Sequence, residues 1–297
     1  MLNDLKTSHK LMKLPNRLAF TVAAIAVASL CCQSARAQQL LFSEGFAYTP
    51  GNGLANQVNP STGNSWVNGN VSELQIGSGQ LSYSGLQTLS PAYELTYTSS
   101  GISSASYTTF ANQTSGSIYY SFLIDCTSLP TANQYITGLD PNTATGPGGS
   151  SDPMSTYVGT SAGGWKIGVR TTGGNTGAQY VGGLVLSQTY FVVEELTLGS
   201  APQVNLYLDP VPGAGQPGTP SATQTGTTAQ NAVGEVGFKA QSATTPGNFE
   251  IGNLLIATDW ADVTPAASVV PEPNTVALLG GGLVLLQAGW RRFQKRG

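Results

Sequence analysis

Histidine is all but missing from this chain. The only one, His9, stands in a basic N-terminal leader with Lys6, Lys10, Lys13 and Arg17. Cysteine is nearly as scarce: Cys31 and Cys32 are near the start, and Cys126 is alone further on. Basic residues are rare as well. Between Gln38 and Val270 only Lys166, Arg170 and Lys239 are cationic, against thirteen carboxylates. Each shortage excludes something. Without histidine beyond residue 9, neither a Ser-His-Asp nor a Cys-His catalytic arrangement can form in the body of the chain, nor can a His-ligated metal site. One cysteine there rules out an intrachain disulfide, so Cys126, at the end of an apolar stretch, is expected to be a small buried residue. Nucleic-acid affinity rests on Lys and Arg against phosphate, so a nucleic-acid partner is excluded. Helical periodicity is also absent between Gln38 and Pro265.

The two ends of the chain are distinctive. After the basic leader, Leu18 to Leu30 is a thirteen-residue apolar run, followed by Ala35-Arg36-Ala37. That run is too short to span a bilayer and has the form of a secretory signal, with small residues at Ala35 and Ala37 for a signal peptidase. Residues 1–37 are therefore expected to be the signal peptide and Gln38 the mature start. At the other end, Pro271-Glu272-Pro273 precedes an uncharged stretch from Asn274 to Trp290, with Arg291, Arg292, Lys295 and Arg296 directly after it. The stretch reaches the lower end of a helical membrane span, and the basic cluster would stay on the cytoplasmic side.

The body, residues 38–263, has the size of one all-β domain. Segments of alternating polarity are separated by Gly, Pro, Asn and Ser clusters, which is the pattern of a sandwich or barrel. Ser117 to Asp125 is the clearest strand, with Ile118, Tyr120, Phe122 and Ile124 on one face. Thr189–Leu198 and Gln203–Asp209 are predicted to pair as a hairpin across Gly199 to Pro202. Further strands are predicted at Leu40–Phe46, Gln80–Ser84, Ser104–Phe110, Gly164–Thr171, Gly234–Ala240 and Asn248–Ala257. Asp140–Pro153, Gly173–Gly177 and Pro210–Asn231 read as loops, and residues 264–270 as a linker to the tail.

Pro-Glu-Pro, an apolar stretch and an arginine cluster at the extreme C-terminus resemble the PEP-CTERM sorting signal of Gram-negative bacteria. The resemblance covers 271–297 and rests on Pro271, Glu272, Pro273, Arg291 and Arg292. It implies processing by an exosortase, a membrane intermediate held by the C-terminal helix, and delivery to the cell surface or beyond. The body carries several features in one order: Phe42-Ser43-Glu44-Gly45-Phe46, Gly79-Gln80-Leu81, the Ser117 strand, Gly164-Trp165-Lys166, the Thr189–Asp209 hairpin, and Thr258-Asp259-Trp260. Together they resemble concanavalin A-like, laminin G-like jelly-roll domains. That resemblance implies an antiparallel two-sheet β-sandwich whose first and last strands are neighbours.

The same fold hosts glycoside hydrolases, whose Glu-x-Asp-x-Glu strand motif places alternate carboxylates on one face. No such triplet is present. Glu194 and Glu195 are adjacent and point to opposite faces, as solvated strand residues; Glu235 and Glu250 stand isolated. The expected function is therefore a non-catalytic surface or matrix protein contacting extracellular polysaccharide. A divergent hydrolase or lyase and a ligand-free coat protein are the alternatives. Tyr and Trp give sugars an apolar face and a polar tip. The aromatic candidates are Trp66, Tyr135, Tyr157, Trp165 and Tyr180, with Trp66, Tyr157 and Trp165 foremost. No cofactor is expected. Asp140, Asn142 and Asp152 form only a fragment of a calcium ligand series.

Overall fold

A computed structural model describes residues 40–67, 74–97, 104–141, 152–172, 177–240 and 247–267. Fourteen strands follow one another: β1 (Leu40–Glu44), β2 (Leu74–Ile76), β3 (Leu95–Tyr97), β4 (Ser104–Gln113), β5 (Ser117–Ser128), β6 (Gln134–Asp140) and β7 (Met154–Ser161), then β8 (Gly164–Arg170), β9 (Gln179–Leu184), β10 (Tyr190–Thr197), β11 (Gln203–Leu208), β12 (Ala222–Thr225), β13 (Val233–Ala240) and β14 (Asn248–Ala257). One helical turn, α1 (Trp260–Val263), follows β14.

The strands form two antiparallel sheets. The eight-stranded sheet runs β12-β11-β10-β5-β14-β3-β2, with β1 also on β14; the six-stranded sheet runs β4-β13-β6-β7-β8-β9. β14 pairs with β5 along one edge and divides the other between β3, at Phe249–Ile251, and β1, at Leu254–Ala257. First and last strands are thus neighbours, as the jelly-roll resemblance implied. The β10–β11 hairpin also forms where predicted, with Val192 opposite Leu208 and Thr197 opposite Gln203.

Alternation along the strands sends one set of side chains between the sheets. Phe42, Ile118, Tyr120, Phe122, Ile124, Val192, Leu206 and Ile251 from one sheet meet Ile136, Leu139, Val158, Ile167, Val236 and Phe238 from the other. The second face of β5 departs from its polar appearance in sequence. Leu123 joins Phe191, Val193, Tyr207, Leu255, Trp260 and Val263 in a separate apolar cluster on the outside of the eight-stranded sheet. Leu81 and Leu86 complete that cluster. The strand predicted at Gln80–Ser84 is accordingly absent: the segment lies over the sheet, Tyr83 meeting Phe191 at 5.6 Å between ring centroids, without joining a ladder. Its apolar alternation signals burial, and burial alone does not provide a pairing partner.

Two boundaries also differ from expectation. Thr264 is fully buried and Ala266 bridges to Leu86, so the packed chain runs past Val263. Within the predicted loop 210–231, Ala222–Thr225 forms the edge strand β12. Among the described residues no helix is long and apolar enough to cross a membrane. The apolar C-terminal stretch and the signal segment with Ala35 and Ala37 fall outside the described residues.

Candidate functional site

The outer face of the six-stranded sheet is built differently from that of its partner. Residues that alternate with the core positions point away from the sandwich here: Gly138 and Asp140 on β6, Ser155 and Tyr157 on β7, Lys166, Gly168 and Arg170 on β8, Glu235, Gly237 and Lys239 on β13. The pairing places Tyr157 opposite Gly168, and Gly168 opposite Tyr180 of β9. Glycine is required at this floor. A Cβ on Gly168 would stand 2.5 Å from Cδ1 of Tyr180, and one on Gly138 would collide with the Tyr135 hydroxyl and the Met154 carbonyl. Tyr135 and Tyr157 meet edge to face at 5.6 Å, and Lys166 Nζ lies 4.2 Å from the centre of the Tyr180 ring. Burial and then the neighbouring Tyr157 push the Tyr180 hydroxyl up to about 12, while Arg170 acts in the opposite direction. Tyr157 and Tyr180 are half-buried, so each offers part of a ring to solvent beside charged and polar neighbours.

At one end of this face three carboxylates converge. Register sets Glu235 opposite Asp140, and the chain returning into β7 brings Asp152 beside them. All three are buried, Asp140 at 6 %, Asp152 at 3 % and Glu235 at 0 % exposure. Burial, then Asp152, then Glu235 hold the Asp140 carboxyl well above the usual range, because a second and third negative charge cannot be solvated there. Oδ2 of Asp140 meets no hydrogen-bond donor among the described residues. No group of three His, Cys, Asp or Glu side chains arranged to hold a metal occurs among the described residues, and Asn142 lies outside them.

The tryptophans named from sequence are not surface platforms. Trp66 and Trp165 are wholly buried. Trp66 donates from Nε1 to Oε2 of Glu44 at 3.1 Å and packs on Phe42 and Phe238. Trp165 donates from Nε1 to the Val185 carbonyl at 3.0 Å and packs on Tyr190 and Phe249. The polar tip that suggested a ligand already has a protein acceptor in both cases. Of the three foremost candidates only Tyr157 reaches the open face.

Glu194 corrects a second expectation. It does point opposite to Glu195, but it is fully buried between the sheets, not solvated. Thr156 Oγ1 donates to its two oxygens at 2.8 and 2.9 Å, and burial pushes its carboxyl up to about 8 despite that hydrogen bond. Glu195 instead gathers Ser117, Asn205 and Gln216 on the outer side of the eight-stranded sheet. Glu250 faces the same side, opposite Asp125, and burial followed by Glu94 and Asp125 raises its carboxyl. Sequence reasoning missed the convergence of Glu235 with Asp140 and the placement of Lys166, Arg170 and Lys239 on one sheet face. Both depend on strand register, which no local pattern announces.

Comparison with known proteins supplies two findings. Residues 269–292 match the PEP-CTERM protein-sorting motif, which includes Pro271, Glu272, Pro273, Arg291 and Arg292. Solved structures similar in shape include the globular domain of Trypanosoma cruzi calreticulin, at 12 % identity and a TM-score of 0.42 over 78 % of this chain and 94 % of that one. An alginate lyase of Pseudomonas aeruginosa aligns at 9 % identity and a TM-score of 0.38, over 60 % of this chain and 88 % of the other. The exoplasmic/lumenal domain of VIP36, in a form bound to Ca2+ and Man3GlcNAc, aligns at 8 % identity and a TM-score of 0.38, over 62 % and 86 %. No curated protein matches the chain significantly. The chain thus joins an antiparallel two-sheet β-sandwich to a PEP-CTERM motif, the mark of exosortase-sorted export to the cell envelope.

Proposed function

We propose that this protein acts at the cell surface or in the extracellular matrix, where the outer face of its six-stranded sheet contacts polysaccharide without cleaving it. The observation that carries this is the open, glycine-floored face on which Tyr157 and Tyr180 are half-exposed beside Lys166 and Arg170. A saccharide ring needs an apolar platform with donors and acceptors at its edge, and two tyrosines flanked by cations supply both. Signal peptidase acting after Ala37 and an exosortase acting near Pro271 to Pro273 are the processing partners of this proposal, and the uncharged segment before Arg291 holds the intermediate in the membrane.

A second possibility, a divergent hydrolase or lyase, draws on Asp140, whose raised carboxyl is the kind of group that serves as a general acid. Against it stands the burial of all three carboxylates, which keeps them from a glycosidic oxygen. The test is retention of the full-length protein, purified in detergent, on extracted extracellular polysaccharide, with release of new reducing ends followed in parallel. Retention that falls at least fivefold in Tyr157→Ala/Tyr180→Ala, with no release, is expected. Release abolished by Asp140→Asn would establish the catalytic alternative, and the absence of both retention and release would leave a coat protein without a ligand.

A further inference from the structure

The charges of the sandwich are sorted by face. Lys166, Arg170 and Lys239 are the only cations between residues 38 and 270, and all three project, half-buried, from the outer face of the six-stranded sheet. Among the described residues, the partly exposed carboxylates take the opposite side. Glu195 and Glu250 alternate with core residues of β10 and β14, Asp209 accepts from the Phe191 amide at 2.9 Å, and Asp259 and Asp262 sit at α1, which packs on the eight-stranded sheet. The described carboxylates that do share the cationic face, Asp140, Asp152 and Glu235, are buried. Segments 142–151 and 173–176, which follow β6 and β8, contain no charged residue. A chain that is acidic overall therefore presents a cationic surface on this one face.

We infer that this face binds an acidic polysaccharide, and that the anionic groups of the polymer, carboxylate or sulfate, are recognised by Lys166 and Arg170 beside Tyr157 and Tyr180. The inference rests on the glycan-contact proposal and adds the chemical class of the glycan. Arg170 has the planar fork that matches an oxyanion with two parallel hydrogen bonds. Lys166, held over the Tyr180 ring, stands close to the aromatic surface on which a sugar would lie. The raised carboxyl of Asp140 fits this reading, since a protonated acid does not repel a polyanion. The acids on the far side repel the polymer and so orient the domain on it, as complementary potentials do in other interfaces.

The experiment uses the full-length protein, purified in detergent, on immobilised polygalacturonate, dextran sulfate, neutral dextran and single-stranded DNA. Retention on polygalacturonate or dextran sulfate is expected, the two arms telling carboxylate from sulfate, with at least tenfold less on dextran and on DNA and with elution by raised salt. Lys166→Gln/Arg170→Gln should weaken it about five- to tenfold, Asp262→Asn on the far side should not, and the charge-preserving Lys166→Arg should retain it. Circular dichroism of each variant separates misfolding from lost binding. Neutral dextran retained equally, with loss in Tyr157→Ala/Tyr180→Ala, overturns this inference and leaves the glycan-contact proposal intact. DNA retained as well as the acidic glycans, or acidic-glycan retention unchanged in the Lys166/Arg170 double variant, overturns it as well. Failure of every polymer overturns both.

Discussion

The two sheets turn opposite kinds of surface outward. Over the eight-stranded sheet, residues 77–93 and α1 lay down a second apolar layer in which Phe191, Leu123 and Val263 are wholly buried, and Trp260 nearly so at 6 % exposure. Over the six-stranded sheet no such layer forms among the described residues. Its outward positions are glycine, tyrosine, lysine, arginine and a sunken group of acids. A sheet face that is not needed for the core is free to carry polar chemistry, and a covered one is committed to packing.

The sharpest way to break the comparison is truncation on each face. Phe191→Ala, under the second apolar layer, should cost roughly 3–5 kcal/mol in urea unfolding, as a fully buried aromatic does. Tyr180→Ala, on the open face, should cost less than about 1 kcal/mol. Equal losses would mean that both faces are covered. Adding a methyl group should reverse the ranking. Gly138→Ala pushes a Cβ into a backbone carbonyl and should cost about 1–3 kcal/mol. Gly252→Ala on β14 meets nothing nearer than 3.5 Å and should change stability by less than that.

A third test uses acids buried on the two sides of the six-stranded sheet. Glu194 and Asp140 have carboxyls raised in the folded state, so the stability they contribute is full below the unfolded value of about 4. It is lost progressively as pH rises from there to the folded value, about 8 for Glu194, and no further above it. The melting temperature should fall from pH 5 to pH 8, with on the order of 1 kcal/mol of stability lost per pH unit for each such group, and level off above pH 8. Glu194→Gln keeps the shape and should flatten much of this slope, the remainder belonging to Asp140; an unchanged slope would show that Glu194 is not buried as an acid. The smallest effect is expected at Cys126. Its thiol is buried and pushed up to about 12, so a maleimide should label it only after denaturant is added.

Some of this was legible residue by residue. Period-two alternation located β5, β10, β11 and β14 within a residue or three at their ends, because each sends apolar residues at every second position between the sheets. The short strands β2, β3 and β12 escaped because three or four residues do not make a period. β6 and β7 escaped for a different reason: polar Thr137 and Thr156 stand at inward positions, bonded to Tyr120 and Glu194, and interrupt the apolar alternation. Trp66 and Trp165 were misplaced because composition around an aromatic ring cannot tell a wet polar neighbour from one that satisfies an indole N–H inside the core.

The sequence by itself determined that the chain is acidic, lacks histidine in its body, folds as antiparallel β-structure and ends in a sorting signal, since composition, alternation and motif order are local properties. Tertiary structure alone decided which face is open, that Glu235 meets Asp140, that Glu194 is enclosed while Glu195 is not, and that every cation of the sandwich lies on one side. Those outcomes depend on register and on what covers each sheet, and a strand of given sequence is compatible with more than one neighbour until the whole sandwich closes.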